Sequence, residues 1–270
     1  MTIGVPVFNG ASMLEEALDN LRAQSLREIE VVISDNASTD GSPQIIANAI
    51  SRDPRIRATR QPVNMGPLPN FKYVLDQATT PYFAWRSYDD LTTTNYFERL
   101  AARLDATPDA VLAAPHVDTL RIESGRRRPR PVDHLQKNAP PAWRTLSNAQ
   151  AGWIYGLWRT EALRAAFDWS VPAITPHIWG WDHLCLFPAI LRGKVVFDDE
   201  ACLTLRLNHA IAKESSPDNR ARSRDLAERY TQACDRLITD ELKTMADRLL
   251  MRLALRLHVH RRISSLSARL

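Results

Sequence analysis

The 270-residue chain is 44% hydrophobic and carries 35 Lys/Arg against 31 Asp/Glu, a formal charge of +4. This describes a globular protein with one sizeable core and excludes a disordered chain, while so small a charge without a nucleic-acid-binding motif argues against a nucleic-acid partner. The widely spaced cysteines, Cys185, Cys202 and Cys234, exclude a disulfide framework and a Cys-x-x-Cys metal site.

A reducing cytosol is therefore the expected setting. No apolar run approaches the roughly 18 residues of a spanning helix, and no signal segment opens the chain, so neither membrane passage nor secretion is expected.

Thr2 to Phe8 is an apolar run bounded by Asn9-Gly10 and reads as a buried strand with its turn. Ser12 and Glu15 form a capping-box pattern ahead of Met13, Leu14, Ala17, Leu18 and Leu21, which recur at helical spacing. Ile29 to Ile33 is the next strand, running into Ser34-Asp-Asn-Ala-Ser-Thr-Asp-Gly-Ser42. Pro43 opens a second helix with Ile45, Ile46, Ala49 and Ile50 on one face and Ser42 as its cap.

A short strand near Ile56, a turn-rich loop from Gln61 to Gly66 and a third helix carrying Phe71, Val74, Leu75 and Ala78 follow. Then Pro81-Tyr-Phe-Ala-Trp-Arg-Ser-Tyr-Asp-Asp90 reads as a strand delivering two adjacent carboxylates. Paired hard oxygen ligands suit Mg²⁺ or Mn²⁺; the competing reading is that Asp90 or Thr94 caps a helix starting near Asn95.

Four alternations of strand and helix predict a parallel sheet wound by right-handed crossovers. Asn9, Asp35 and the Asp89-Asp90 pair then converge on one crevice at the carboxyl edge.

Beyond Ala110 the alternation loosens. Thr119 to Ala142, with Arg126-Arg127-Arg128-Pro129-Arg130, reads as a hairpin or loop whose arginines are solvated. Ile154 to Trp158 is a strand, Thr160 to Phe167 a short helix, and Asp182 to Leu191 a helix kinked or broken at Pro188. Lys194 to Phe197 and Leu203 to Leu207 are short strands, and helical patterns dominate from Arg220. The chain shows no internal repeat.

Val5-Pro-Val-Phe-Asn-Gly10, Ser34-Asp-Asn-Ala-Ser-Thr-Asp-Gly41, Asn64-Met-Gly66 and Asp89-Asp90, in this order and spacing, resemble the nucleotide-binding half of family-2 glycosyltransferases. The resemblance is close to about residue 115. It continues through Tyr155-Gly-Leu-Trp-Arg159, Gly180-Trp-Asp182 and Gly193-Lys-Val-Val-Phe197 to about Asn208; the last sixty or so residues have no counterpart.

The resemblance implies a GT-A fold, a Rossmann-like, mostly parallel sheet flanked by helices, here with a helical C-terminal extension. It divides the chain into a nucleotide-sugar-binding half (1–115), an acceptor-binding half of the same catalytic domain (116–210) and the extension (211–270). It further implies inverting transfer of a sugar from a nucleotide-diphosphate donor, most often a UDP-sugar, to a glycan or lipid-linked acceptor, in surface polysaccharide or glycoconjugate synthesis. The absence of a Gln-x-x-Arg-Trp motif points to a single addition.

Matched by motif, Asp35 falls where the family binds the donor base, with Pro6, Phe8, Asn9, Asn64 and Gly66 in the same donor-binding segments. Asp89 and Asp90 fall on the carboxylate motif that holds an Mg²⁺ or Mn²⁺ ion on the diphosphate, Asp90 as the direct ligand. Many relatives carry a third acid just before this pair, where this chain has Ser87-Tyr88. Asp182 matches the catalytic base; a helix N-cap is its competing role. Arg206 and His209 match basic or metal-contacting positions after the last strand.

Two alternatives stand beside this reading. A sugar-phosphate nucleotidylyltransferase needs a basic, Gly-rich loop after the first strand, and Phe8-Asn-Gly-Ala-Ser12 is poorly equipped for that. A non-catalytic nucleotide-sugar-binding protein fits the missing third acid. In the tail, Arg248, Arg252, Arg256 and His260 recur every fourth residue among Leu249, Leu250, Leu253, Leu255 and Leu257. That amphipathic helix packs on the domain or on a second subunit, or lies on an anionic membrane surface through its arginine stripe.

Overall fold

The computed structural model describes residues 1–136, 140–207 and 220–264. The first half follows the expected alternation: β1 (Thr2–Val7), α1 (Ala11–Arg22), β2 (Glu30–Asp35), α2 (Ser42–Arg52), β3 (Ile56–Arg60), α3 (Pro67–Asp76) and β4 (Tyr82–Trp85). β3, β2, β1 and β4 pair in parallel in that order, and the apolar runs that define β1 and β2 are buried on both faces. That is what a parallel sheet sandwiched by helices requires. The fold is a mostly parallel α/β sheet with helices against it, continued by C-terminal helices, as the fold class implied.

The second half departs from the reading of isolated short strands. After β5 (Leu91–Thr92) and α4 (Tyr96–Ala106), β6 (Leu112–Arg121) is a ten-residue strand that sequence patterning missed. It forms a hairpin with β7 (Arg127–Arg130), one of the two forms expected here, whose arginines are exposed apart from half-buried Arg130 and alternate between the faces of an edge strand. The short helices α5 (Asp133–Gln136) and α6 (Ala142–Asn148) come next. Ile154–Trp158, expected as a strand, divides into a 3₁₀ turn (Ala151–Tyr155) and β8 (Leu157–Arg159).

α7 (Thr160–Ile174) outlasts its expected end, and α8 (Trp181–Leu191) runs through Pro188 without a break. The two expected late strands are one, β9 (Val195–Leu207). Its register against β6 jumps between Pro115↔Asp198 and His116↔Cys202, leaving a bulge at 199–201. Arg99 and Arg103 hold Asp198 at this bulge, at 2.8 and 3.0 Å. β9 lies between β6 and β5, giving the order β3-β2-β1-β4-β8-β6-β9-β5.

Helix caps differ from expectation in one informative way. α1 starts at Ala11 and α2 at Ser42, with Gly10 and Gly41 as caps, so neither Ser12 nor Ser42 caps its own helix. Instead the loops cap one another: Gly10 N donates to Ser42 Oγ, Ala11 N to an Asp40 carboxylate oxygen and Thr39 N to Asn9 Oδ1, at 2.8–2.9 Å. The loops after β1 and β2 thus form one hydrogen-bonded body.

The C-terminal extension is an antiparallel-style helical pair, α9 (Arg220–Glu241) and α10 (Met245–His258), followed by a π-helical turn (Val259–Ser264). Thr244 caps α10 through the Asp247 amide at 3.0 Å. Met251, Ala254, Leu255 and His258 are buried, while Leu249, Leu250, Leu253 and Leu257 stay exposed. Two arginines of the stripe are engaged by the neighbouring helix while Arg256 and His260 stay exposed: Arg252 pairs with Asp235 at 2.6 Å, and Arg248 donates to the carbonyls of Leu242 and Thr239. Among the described residues no helix is long and apolar enough to cross a membrane.

Candidate active site

β4 ends at Trp85, and the chain bends through Arg86-Ser87-Tyr88 so that Asp89 and Asp90 sit in a loop before β5. This loop is held from beneath. Arg86 is buried and donates to the Asp90 carbonyl at 3.0 Å and to Asn20 Oδ1 at 2.9 Å; the same Asn20 oxygen accepts the Thr92 amide at 2.9 Å. From β9, the Arg206 amide donates to Asp90 Oδ1 at 2.8 Å, and Arg206 Nε donates to the Asp89 carbonyl. The carboxylate of Asp90 is therefore pinned by the sheet and does not cap α4, whose cap residue is Asn95. Burial, and then the charge of Asp89, push its carboxyl up to about 7.

Asp182 enters from the other side on the first turn of α8. Gly180 precedes it in the left-handed region at φ 81°, a conformation that favours glycine, and a Cβ there would also meet Ile263 at 3.0 Å. Trp181 fixes the turn by packing against Phe71, Trp85 and Phe167 with ring centroids 5.2–5.7 Å apart. Asp182 Oδ1 accepts the His183 amide at 2.7 Å, and burial lifts the carboxyl to about 6. Gly180 occupies the cap position, and Asp182 lines the cavity while one of its oxygens takes a first-turn amide.

One cavity of about 510 Å³ gathers these groups: Asp89, Asp90, Asp182, Tyr88, Tyr155 and Arg206 all line it. Tyr155 stands among the three acids. After burial, the charges of Asp90, Asp89 and Asp182 all raise its phenol. Tyr88 closes the side toward the first loops, its ring filling the space where a Cβ on Gly10 would lie at 2.6 Å; burial and then Asp89 and Asp40 push its phenol up to about 12.

Of the expected donor-binding residues, Asp89 lines this cavity and the others lie outside it, along the adjoining loops. Asp35 is buried at the end of β2, where it accepts the Ser38 amide at 2.9 Å and pairs with half-exposed Arg60 at 2.8 Å. Asn64 Oδ1 accepts from Asn36 Nδ2 and the Gly66 amide, both at 2.8 Å, shaping the turn into α3. Pro6 is buried in β1, Phe8 is exposed just beyond it, and Asn9 holds Thr39. His209 lies outside the described residues.

Sequence reasoning passed over Tyr88, Tyr155, Trp181 and Arg262 as cavity-lining residues. The aromatic cluster Trp179-Gly-Trp181 beside Asp182 was a usable signal for Trp181, as was the place of Tyr88 next to Asp89 for that residue; nothing local marks Arg262.

Residues 2–168 match the sequence model of glycosyl transferase family 2. An uncharacterized glycosyltransferase of Haemophilus influenzae is 30% identical over 99 residues, covering 37% of this chain and 40% of that protein. The GalNAc(5)-diNAcBac-PP-undecaprenol beta-1,3-glucosyltransferase of Campylobacter jejuni is 30% identical over 91 residues, 33% of this chain and 29% of its own length. The chain thus spans less than half of either relative.

Among solved structures, S. aureus TarS 1-349 in complex with UDP-GlcNAc superposes with a TM-score of 0.75 at 17% identity, over 96% of this chain and 72% of that one. Mannosyltransferase PcManGT from Pyrobaculum calidifontis, in complex with GDP-Man and Mn²⁺, gives 0.60 at 19% identity, over 96% and 69%. At these identities the likeness is one of fold.

Proposed function

The chain belongs to glycosyl transferase family 2, and on that premise we propose that it transfers a single sugar from a nucleotide-diphosphate donor to an acceptor hydroxyl with inversion at the anomeric carbon. The observation that carries this is the meeting of Asp89, Asp90 and Asp182 in one cavity, two acids from the strand-end loop facing one from α8. Inversion needs a base on the face opposite the leaving group. Asp182, half-buried in the cavity wall and with its carboxyl near 6, is ionised at neutral pH yet basic enough to take the proton of an acceptor hydroxyl.

The donor set of Asp89 and Asp90 is all oxygen, and burial beside a like charge holds Asp90 in need of positive charge, so the pair fits a hard divalent cation. Asp90 would be the direct ligand and Asp89 its neighbour; when bound, such an ion neutralises charge on the departing diphosphate. The Mn²⁺ held with GDP-Man by PcManGT supports the same reading. Arg206, whose Nη2 is buried without a partner, stands ready at the same wall for a phosphate oxygen. Asp35, with Pro6, Phe8, Asn9, Asn64 and Gly66, forms the base-binding rim, and UDP-GlcNAc in TarS makes a UDP-sugar the first donor to try.

In this reading residues 1–115 hold the donor, 116–210 the acceptor, and 211–270 form an added helical unit. The Campylobacter relative, named for an undecaprenol-linked substrate, favours a lipid-linked acceptor, glycoconjugate synthesis and work at the inner membrane face. A nucleotidylyltransferase is disfavoured because the loop after β1 is tied up by Asp40 and Ser42 and offers no basic side chain to a triphosphate.

A panel of UDP- and GDP-sugars, with Mn²⁺ or Mg²⁺, tests the proposal through donor hydrolysis and transfer to acceptor mixtures. Metal-stimulated turnover of one donor, lost in Asp182→Asn, is expected. Binding of donors without hydrolysis or transfer would make the protein a non-catalytic nucleotide-sugar binder.

A further inference from the structure

A second cavity, of about 400 Å³, lies between the β6–β7 hairpin and the end of α10 and is lined by Arg128, Arg130, Arg261, Arg262, His258 and His260. Its origin is the alternation of β7. Arg128 and Arg130, paired opposite Thr119 and Val117, share one strand face, while Arg127 turns to the other and approaches Asp118 at 4.0 Å. The π-helical turn after α10 brings the C-terminal basic residues to the same place.

No carboxylate among the described residues pairs with Arg128, Arg130 or Arg262. Arg130 and Arg262 are half-buried, and Arg130 Nε is fully buried without a hydrogen-bond partner. Burial and neighbouring arginines hold both guanidinium groups below their ordinary range. Like charges assembled and partly desolvated without counter-charge are costly, and that cost is offset when an anion binds among them. Guanidinium forks facing one space match phosphate oxygens in particular.

Arg262 lines this cavity and also the cavity of Asp89, Asp90 and Asp182, so the two adjoin at the Asp182 side. His183, next to Asp182, contacts His258 across the same boundary with ring centroids 4.8 Å apart.

We propose that the arginine-lined cavity seats a phosphate or diphosphate group carried by the acceptor, and so presents the acceptor hydroxyl to Asp182. This rests on the transfer reading above. The phosphate belongs either to a lipid carrier or to a water-soluble phosphorylated glycan. Leu257, exposed at the cavity wall, begins a stripe with Leu253, Leu250 and Leu249 along which a lipid tail can lie.

Calorimetric titration with inorganic pyrophosphate and with farnesyl diphosphate, in buffer stripped of divalent ions so that Asp89 and Asp90 repel diphosphate, tests this. Both ligands should bind the wild type, and Arg130→Gln and Arg262→Gln should each weaken them roughly ten-fold or more, the effect of losing a charge-assisted hydrogen bond. Arg256→Gln, exposed on the same helix outside the cavity, should leave affinity intact. Thermal unfolding confirms that each variant is folded.

Tighter binding of farnesyl diphosphate, lost in Leu253→Glu, assigns the phosphate to a lipid; equal binding assigns it to a soluble acceptor. No saturable binding by the wild type, or equal losses in Arg256→Gln, overturns the site. Donor hydrolysis by the wild type is measured separately. If it is absent while the arginine-dependent binding persists, the transfer reading has failed and the anion site stands.

Discussion

The backbone amide of Arg206 donates to the Asp90 carboxylate at 2.8 Å, joining the last strand of the sheet to a loop 116 residues earlier. The acid that matters most to the proposed chemistry is thus oriented by the main chain of β9, with Arg86 and Asn20 fixing its carbonyl side.

Asp90→Asn should abolish transfer and at the same time stabilise the metal-free protein. With a folded pKa near 7, above its ordinary 3.8, the buried carboxyl holds its proton in the folded state over the range where the unfolded chain has lost it. Wild-type stability therefore falls as pH rises from about 4 to 7, and the variant lacks that fall. Its melting temperature in chelator at pH 8 should exceed the wild type's and converge with it near pH 4. A lower melting temperature at pH 8 would mean the Asp90 charge is already compensated.

Asp182→Asn should lower the transfer rate by roughly two or more orders of magnitude with donor affinity nearly unchanged. The wild-type rate at saturating metal should rise through a single inflection near pH 6, set by this carboxyl. Parallel losses of affinity and rate, or an unchanged inflection in the variant, would make the residue structural.

Trp181→Leu should loosen the turn that carries Asp182. Three aromatic contacts are lost, each worth about 0.5–1.5 kcal/mol beyond area burial. Stability should drop by about that order, and the transfer rate should fall more than donor binding does. Donor calorimetry and stopped transfer assays on the same preparation separate the two.

Asp35→Asn tests the donor rim. If the carboxylate accepts a hydrogen bond from the donor base, the variant should bind donor about ten-fold more weakly with turnover intact. Arg60→Met removes the ion pair and the bond to the Ser38 carbonyl but keeps the carboxylate, and should cost less. Equal losses from both would show that the Asp35–Arg60 pair merely shapes the loop.

Vesicle co-sedimentation should depend on leucines more than on arginines. Arg248 and Arg252 are occupied by α9, whereas Leu249 and Leu253 are exposed. Leu249→Glu with Leu253→Glu should abolish binding to anionic vesicles, and salt should weaken wild-type binding only modestly. If the wild type instead self-associates and the variant is monomeric in sedimentation, the stripe is a subunit interface.

The first half of the fold was legible because β1, β2 and α1 to α3 carry clean periodicity between strong turn residues. β6 was not. Pro115, His116 and Asp118 interrupt its apolar run, and Pro115 is tolerated because it sits at the register jump opposite the β9 bulge. Asp89, Asp90 and Asp182 could be singled out from short motifs, but their meeting could not, since it depends on Trp181 packing under β4. The tail showed its two faces in sequence, though not which one turns inward. Asp235 and the carbonyls of Thr239 and Leu242 draw in Arg252 and Arg248, while Arg256 stays in solvent.

The position of β9 also orders events during synthesis. β5 is paired only with β9 among the described strands, so while the ribosome makes more than a hundred further residues, the Asp89-Asp90 loop has Arg86 and Asn20 beneath it but lacks the Arg206 amide that orients the Asp90 carboxylate. Closing a connection of that length is entropically slow. The nascent chain therefore completes the sheet of β1 to β4 early and gains the Arg206 contacts that fix the Asp90 carboxylate only when residues 203–206 emerge. Metal binding by stalled chains ending before and after β9 would time that step.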